Sequence, residues 1–211
     1  MPTTSVLLSF LGATVLLILL PGPNMFFLLA RGIGSGRQAA VVSAFGIEAA
    51  TTVFVVATAF GFSAVLASSA IAFSVIRYAG AAYLIYLGLR TILGGGEIER
   101  QLDSTPASAR RSAREAFLVG ITNPKVALFF VAFFPQFLDP ARGPVAAQTF
   151  LLGAIFVVVG LSFDLVFAFS SGSIGRLLQR RPAILRRQRY VSGLAYLGLG
   201  AFAAATGQRH H

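Results

Sequence analysis

Residues 15–31 read VLLILLPGPNMFFLLAR, and residues 117–138 read FLVGITNPKVALFFVAFFPQFL. Each belongs to an apolar run long enough to cross a bilayer, and each carries proline near its middle. A hydrocarbon core about 30 Å thick is spanned by about 20 apolar residues in a helix. Proline removes one backbone donor and frees a carbonyl one turn earlier. In lipid such groups must be satisfied by protein, water or ligand. Pro21-Gly22-Pro23 and Asn123-Pro124 therefore predict two spans broken near their centres. A single break reads as a packing kink. Two breaks at related places read as a site.

Working outward, four more apolar runs bring the expected spans to six. They cover about Thr4–Arg31, Gln38–Leu66, Ile71–Leu93, Glu115–Leu138, Ala147–Ser170 and Tyr190–Thr206. The first run lacks the basic start and small-residue cleavage site of a signal peptide, so it is read as a span. The stretch 94–114, opening on three glycines, reads as a linker of mixed charge. Composition agrees: 56% of the 211 residues are apolar and only 11% charged, against roughly 25% charged in soluble domains. Cysteine is absent and both histidines are terminal, His210 and His211. Thiolate sites, disulfides and histidine-based catalysis are thereby excluded, and no metal or cofactor is expected.

The net charge of +10 is almost wholly arginine. Thirteen basic residues fall in the odd-numbered loops, three (Arg77, Arg142, Arg209) on the opposite side, and Lys125 within a span. By the positive-inside rule the odd loops face the cytoplasm and both termini face the periplasm. A nucleic-acid partner would want a soluble basic face with stacking aromatics, whereas the aromatics here lie within the spans.

Two segments repeat. Arg77-Tyr78-Ala79-Gly80-Ala81-Ala82-Tyr83-Leu84 opens the third span, and Arg189-Tyr190-Val191-Ser192-Gly193-Leu194-Ala195-Tyr196-Leu197 opens the sixth. Pro23-Asn24 with Phe26 and Phe27 is echoed by Pro124-Lys125 with Phe129 and Phe130. Residues 4–93 and 115–206 thus read as two three-span units. An odd span count makes the second enter from the other side. The expected fold is an all-α membrane protein with a 3+3 inverted repeat and broken helices one and four, as in many secondary transporters.

Ionisable groups at membrane depth cost several kcal/mol and mark pathways. Three lie clearly inside the spans: Glu48 and Lys125 about 15 Å deep and Asp164 about 12 Å deep, at about 1.5 Å per helical residue. Asn24 lies at the same level. A buried ion pair, Lys125 with Asp164 or Glu48, is one reading. It leaves one carboxyl over, and such a group suits proton coupling. Glu48 is the first choice, because Gly46, Ala49 and Ala50 leave room beside it, and Asp164 is the second. Thr51, Thr52, Thr58, Thr122 and Ser162 read mainly as hydroxyls bonded to their own helices.

Three ordered motifs are similar to the signatures of the LysE/RhtB family of amino-acid exporters. They are Pro21-Gly22-Pro23-Asn24 with Arg31-Gly32, Gly36-Arg37 and Gly46; Ala79-Gly80-Ala81-Ala82-Tyr83-Leu84 with Gly88; and Gly120-Ile121-Thr122-Asn123-Pro124-Lys125 with Phe129-Phe130 and Phe133-Phe134-Pro135-Gln136-Phe137. The family often has Gly at the place of Ala50, and its span-two acids often lie a few residues beyond Glu48. The resemblance implies efflux of amino acids or close derivatives across the bacterial inner membrane, driven by proton exchange.

The expected substrate site is Pro21, Gly22, Pro23, Asn24, Glu48, Asn123, Pro124 and Lys125, with Glu48 or Asp164 carrying the proton. Partners are an amino acid, protons and the lipid bilayer, and a homo-oligomer is compatible with the apolar exterior. Enzyme classes lack their residues: no buried histidine, and one intramembrane Asp where a paired-Asp protease needs two. A passive channel would want a continuous polar ring, which spans this apolar do not provide.

Overall fold

The computed structural model describes residues 1–68 and 107–180, with single positions between 75 and 93 and between 190 and 201. Most of the third and sixth expected spans, of their repeated Arg-Tyr segments and of the linker lies outside the described residues. Among those described, all regular structure is helical.

Helix α1 (Thr4–Leu19) starts on Thr3, whose hydroxyl accepts from the Val6 N–H at 3.4 Å. It stops because Pro21 holds the preceding residue extended, and Leu20 sits at φ −67°, ψ 115°. Helix α2 (Pro23–Ser35) begins with Pro23 in its first turn, where the missing N–H costs nothing. The two are bent by 50°. Helix α4 (Ala109–Ile121) and helix α5 (Pro124–Leu128) repeat this device. Asn123 before Pro124 is extended at φ −71°, ψ 109°, and Pro124 opens the new helix. A π turn (Phe129–Phe133) and a 3-10 turn (Phe134–Phe137) continue α5, and this bend is 43°.

Between and after the bent pairs run two long helices, α3 (Arg37–Ser68) and α6 (Val145–Arg180). Their apolar stretches cover 25 and 28 residues, each longer than a bilayer core requires. Counting each bent pair as one span, the described residues hold up to four candidate spans. Helix α4 starts at Ala109 rather than at Glu115, because Ser108 caps it by accepting from the Arg111 N–H. Arg110, Arg111 and Arg114, read as linker, are therefore helical. Helix α6 likewise runs past the expected end at Ser170 to Arg180.

α3 packs against α4 and α6, and α2 packs against α3 and α6. Glycine permits close approach of α3 and α4: a Cβ on Gly46 would run into the Ala113 carbonyl oxygen, and one on Gly120 would lie 2.8 Å from the Ala50 Cβ and 3.2 Å from the Ile47 carbonyl oxygen. The core on the other side is aromatic. Phe10 meets Phe134 and Phe137 edge-on at 5.4 and 5.1 Å, and Phe129 meets Phe156 at 4.9 Å. These contacts seat the irregular 129–137 segment between α1 and α6. Outward, Val158, Val166 and Phe169 on α6 and Phe60 on α3 are exposed, as a lipid-facing surface requires.

Candidate functional site

Each helix break leaves backbone groups without partners, and side chains at the second break serve both. The Asn123 carbonyl oxygen caps α5 by accepting from the Lys125 N–H at 3.0 Å. Its amide nitrogen donates to Asn24 Oδ1 at 2.7 Å, linking the two breaks directly. The Lys125 ammonium reaches back to the end of α1, donating to the carbonyls of Leu17 at 3.1 Å and Leu20 at 2.8 Å. A cation is favoured there, at the negative end of the helix dipole. Gly22 leaves room for the lysine stem, since a Cβ on it would lie 3.3 Å from Nζ and 3.4 Å from Cε.

Around this junction lies a cavity of about 30 Å³, space for roughly one water. Asn24 and Met25 of α2, Glu48 and Thr51 of α3, Lys125 and Val126 of α5, and Asp164 of α6 line it. Leu17, Ile18, Phe156, Gly160 and Phe167 complete its wall. The four polar groups read at one depth in the sequence, Asn24, Glu48, Lys125 and Asp164, are thus brought together from four helices. Glu48, Lys125 and Asp164 are 7%, 6% and 6% exposed. Gly22 stands against Lys125, and Asn123 is buried behind it. Neither these two nor Pro21, Pro23 and Pro124 are among the lining residues; the prolines shape the breaks.

The direct ion pair, one of the two readings of these charges, is not formed: among the described residues no salt bridge joins Lys125 to Glu48 or Asp164, because the ammonium is held by the α1 carbonyls. Asp164 still interacts electrostatically with both Glu48 and Lys125. Glu48 Oε2 and Asp164 Oδ2 are buried and accept no hydrogen bond. The room beside Glu48 also has another source than expected. Gly46 and Ala50 pack on α4, Ala49 faces outward, and the space comes from Gly160 of α6. Thr51, Thr52, Thr122 and Ser162 bond back to the carbonyls of Ile47, Glu48, Leu118 and Val158.

Sequence reasoning missed the α6 face. Phe156, Gly160, Asp164 and Phe167 fall on one helical stripe, a spacing visible in the sequence once Asp164 is taken as its centre. It also missed Arg31. Counted as a loop arginine, Arg31 is inside α2, buried, and bonded to Glu115 of α4. Glu115 also accepts from Arg111 Nε at 2.6 Å.

Apolar helices, two of the candidate spans broken, and a buried polar cavity where the breaks meet fit a membrane transporter. The chain belongs to the LysE type translocator family, whose profile matches residues 15–207. This agrees with the resemblance drawn from the three motifs and makes the protein a transporter rather than an enzyme. It is 29% identical to a leucine efflux protein of Klebsiella pneumoniae, over 92% of each chain. It is 30% identical to an uncharacterized membrane protein of Vibrio cholerae, over 93% of this chain and 95% of that one. A leucine efflux protein of an Enterobacter strain is 27% identical, over 88% of each. No solved structure matches the chain.

Proposed function

We propose that this protein is a proton-driven exporter of neutral amino acids or close derivatives across the bacterial inner membrane, working by alternating access. The observation that carries this reading is the Asn24–Asn123 bridge, which joins two helix breaks beside a buried cavity holding two carboxyls and one ammonium. The efflux relatives support the substrate class.

An amino acid offers a carboxylate, an ammonium and a side chain, and the cavity has a counterpart for each. Gly22 gives α2 no side-chain cap, so the first-turn N–H groups of Asn24 and Met25 suit the carboxylate. The Lys125 ammonium has three protons, two of them on Leu17 and Leu20, and its third adds to that end. Glu48 and Asp164 suit the substrate ammonium. Met25, Phe156 and Phe167 give an aliphatic side chain apolar walls. A cavity of about 30 Å³ is too small for an amino acid, so loading requires the helices to part. Protonation from the periplasmic side would weaken the carboxyl grip and release the substrate.

A six-span inverted repeat is supported by the order of elements: bent pair then long helix, twice. Cytoplasmic odd loops are supported by the gathering of arginines. The α2–α3 turn meets the start of α4 through Ser35 Oγ and the Ala107 N–H at 3.0 Å. This collects Arg31, Arg37, Arg110, Arg111 and Arg114 at one end. The N-terminus bonds instead to the Arg142 carbonyl at the other.

The test is amino-acid retention in cells fed mixed dipeptides, comparing wild type, Lys125→Ala and empty vector. Wild type should lower the pool of one or a few neutral amino acids and Lys125→Ala should not. Unchanged pools in all three would overturn the reading. Efflux that neither saturates nor responds to a pH gradient would point to a channel.

A further inference from the structure

Among the described residues the site holds two buried carboxyls and one ammonium. Glu48 and Asp164 line the same cavity, act on each other electrostatically, and each has an oxygen without a hydrogen-bond partner. Lys125 is the one charged group facing them from α5. Asn24 of α2 and Thr51 of α3 are neutral, and α1 contributes only Leu17 and Ile18. Helix α4 lines none of the cavity, and its Glu115 is tied to Arg31 and Arg111. Burying an uncompensated charge costs several kcal/mol, and one proton on the pair removes the excess.

Gly160 fixes the geometry of the pair. A Cβ at this position would lie 2.5 Å from Glu48 Oε1, 3.1 Å from Cδ and 3.3 Å from Oε2. The Glu48 carboxyl therefore rests on bare backbone, one helical turn before Asp164. Glycine inside a helix is less favourable than alanine. Here it leaves the volume that one carboxyl occupies beside the other.

We propose that Glu48 and Asp164, seated by Gly160, form a single proton site that is loaded once per transport cycle. The proposal rests on the exporter reading and adds its stoichiometry. The proton and the substrate ammonium compete for the same carboxyl pair, so they occupy it in turn. The substrate carboxylate is met by the uncapped start of α2 rather than by the charge that balances the pair. On the cytoplasmic side the substrate ammonium displaces the proton and a carboxyl O–H bond breaks. On the periplasmic side the substrate leaves and that bond re-forms with a proton from outside. One zwitterion leaves and one proton enters, so each cycle moves one net positive charge inward.

The first test is proton release from purified transporter in weakly buffered detergent on adding leucine at saturating concentration. One proton per leucine bound is expected for wild type. Glu48→Gln and Asp164→Asn each leave one carboxyl to balance Lys125, so each should release none. Two protons per leucine, or one proton still released by either variant, would overturn the shared site. Leucine binding with no release from wild type would overturn it and the proton-driven reading together. No binding of leucine, alanine or threonine would instead refute the amino-acid reading.

Liposomes give a second measure. A tenfold leucine gradient should be balanced by one pH unit or by about 59 mV for a single charge, whereas a voltage-insensitive balance point refutes the stoichiometry. Gly160→Ala should lower pH-driven leucine transport at least tenfold. Glu48→Asp in the same chain, whose shorter arm clears the new methyl, should restore part of it. Unaltered proton dependence in Gly160→Ala would refute the seat.

Discussion

Replacing Asn123 should cost the protein two separable interactions. The first is the cap on α5 through the Lys125 N–H; losing such a cap costs about 1 kcal/mol. The second is the bridge to Asn24. A buried group left without its partner costs about 1–3 kcal/mol, and because this bridge is only partly buried we take about 1. Asn123→Ala should therefore destabilise by about 2 kcal/mol, or about 4–8 °C at the 2–4 °C per kcal/mol typical of a chain this size. Asn123→Ser keeps a capping oxygen but is too short to reach Asn24, so it should lose about 1 kcal/mol. Asn24→Ala should cost about 1–1.5 kcal/mol, since it strands the amide of a residue only 1% exposed. The two alanine changes together should cost about 2 kcal/mol, less than their sum by about 1 kcal/mol, because the bridge can be lost only once. Thermal or denaturant unfolding of the four variants in detergent measures this. Costs that add to within about 0.3 kcal/mol would show that the bridge does not operate and that the breaks are held together some other way.

Three further outcomes follow from the same geometry. Lys125→Met loses two charge-assisted hydrogen bonds but also the desolvation of an ammonium, so unfolding should move by no more than about 2 kcal/mol while transport falls at least tenfold; near-normal transport would remove Lys125 from the site. Gly120→Ala pushes a methyl into Ala50 and the Ile47 backbone and should cost about 1–3 kcal/mol, partly recovered by Ala50→Gly. Gly61→Ala, with open space around it, should be neutral or stabilising by up to about 1 kcal/mol, and equal effects at the two glycines would contradict the packing. Glu115→Gln keeps the shape but removes the charge that Arg31 and Arg111 share. It should destabilise by about 1–2 kcal/mol and more so at low salt, and an effect below about 0.3 kcal/mol would mark the cluster as surface decoration.

The broken spans were legible because proline acts locally: it dictates the conformation of the residue before it, and Leu20 and Asn123 are both extended. Long helices were legible because lipid demands length and apolarity, so α3 and α6 appear close to where hydropathy places them. Their ends were less so. Charge was read as linker at Arg110–Arg114, whereas a serine cap and helical periodicity carry the helix back to Ala109. Depth brought Asn24, Glu48, Lys125 and Asp164 to one level but gave no rotation about each helix axis. Charge alone therefore leaves pairing with an acid as one reading of Lys125, and the α1 carbonyls that hold it have no signature beyond the proline that frees them. Arg31 failed for a related reason: its partner stands 84 positions away, and the rule that arginines set topology does not distinguish a buried one.

The two breaks are alike in cause and unlike in what they offer. At the second, Asn123 satisfies the new helix start and Lys125 is free to leave its own helix for the end of α1. At the first, Gly22 supplies no side-chain cap, and Asn24 and Met25 of the first turn of α2 line the cavity. One break thus contributes a cation and the other a helix start without a side-chain cap, and the asparagine bridge joins the two. Both ends are positive, and under the proposed reading the unlike charge that a zwitterion needs opposite them comes from Glu48 of α3 and Asp164 of α6. The division also links substrate to motion. Lys125 ties the end of α1 to the start of α5, so a change in its contacts is felt at both bends, and under the proposed exporter reading those bends are where the cavity widens to admit an amino acid.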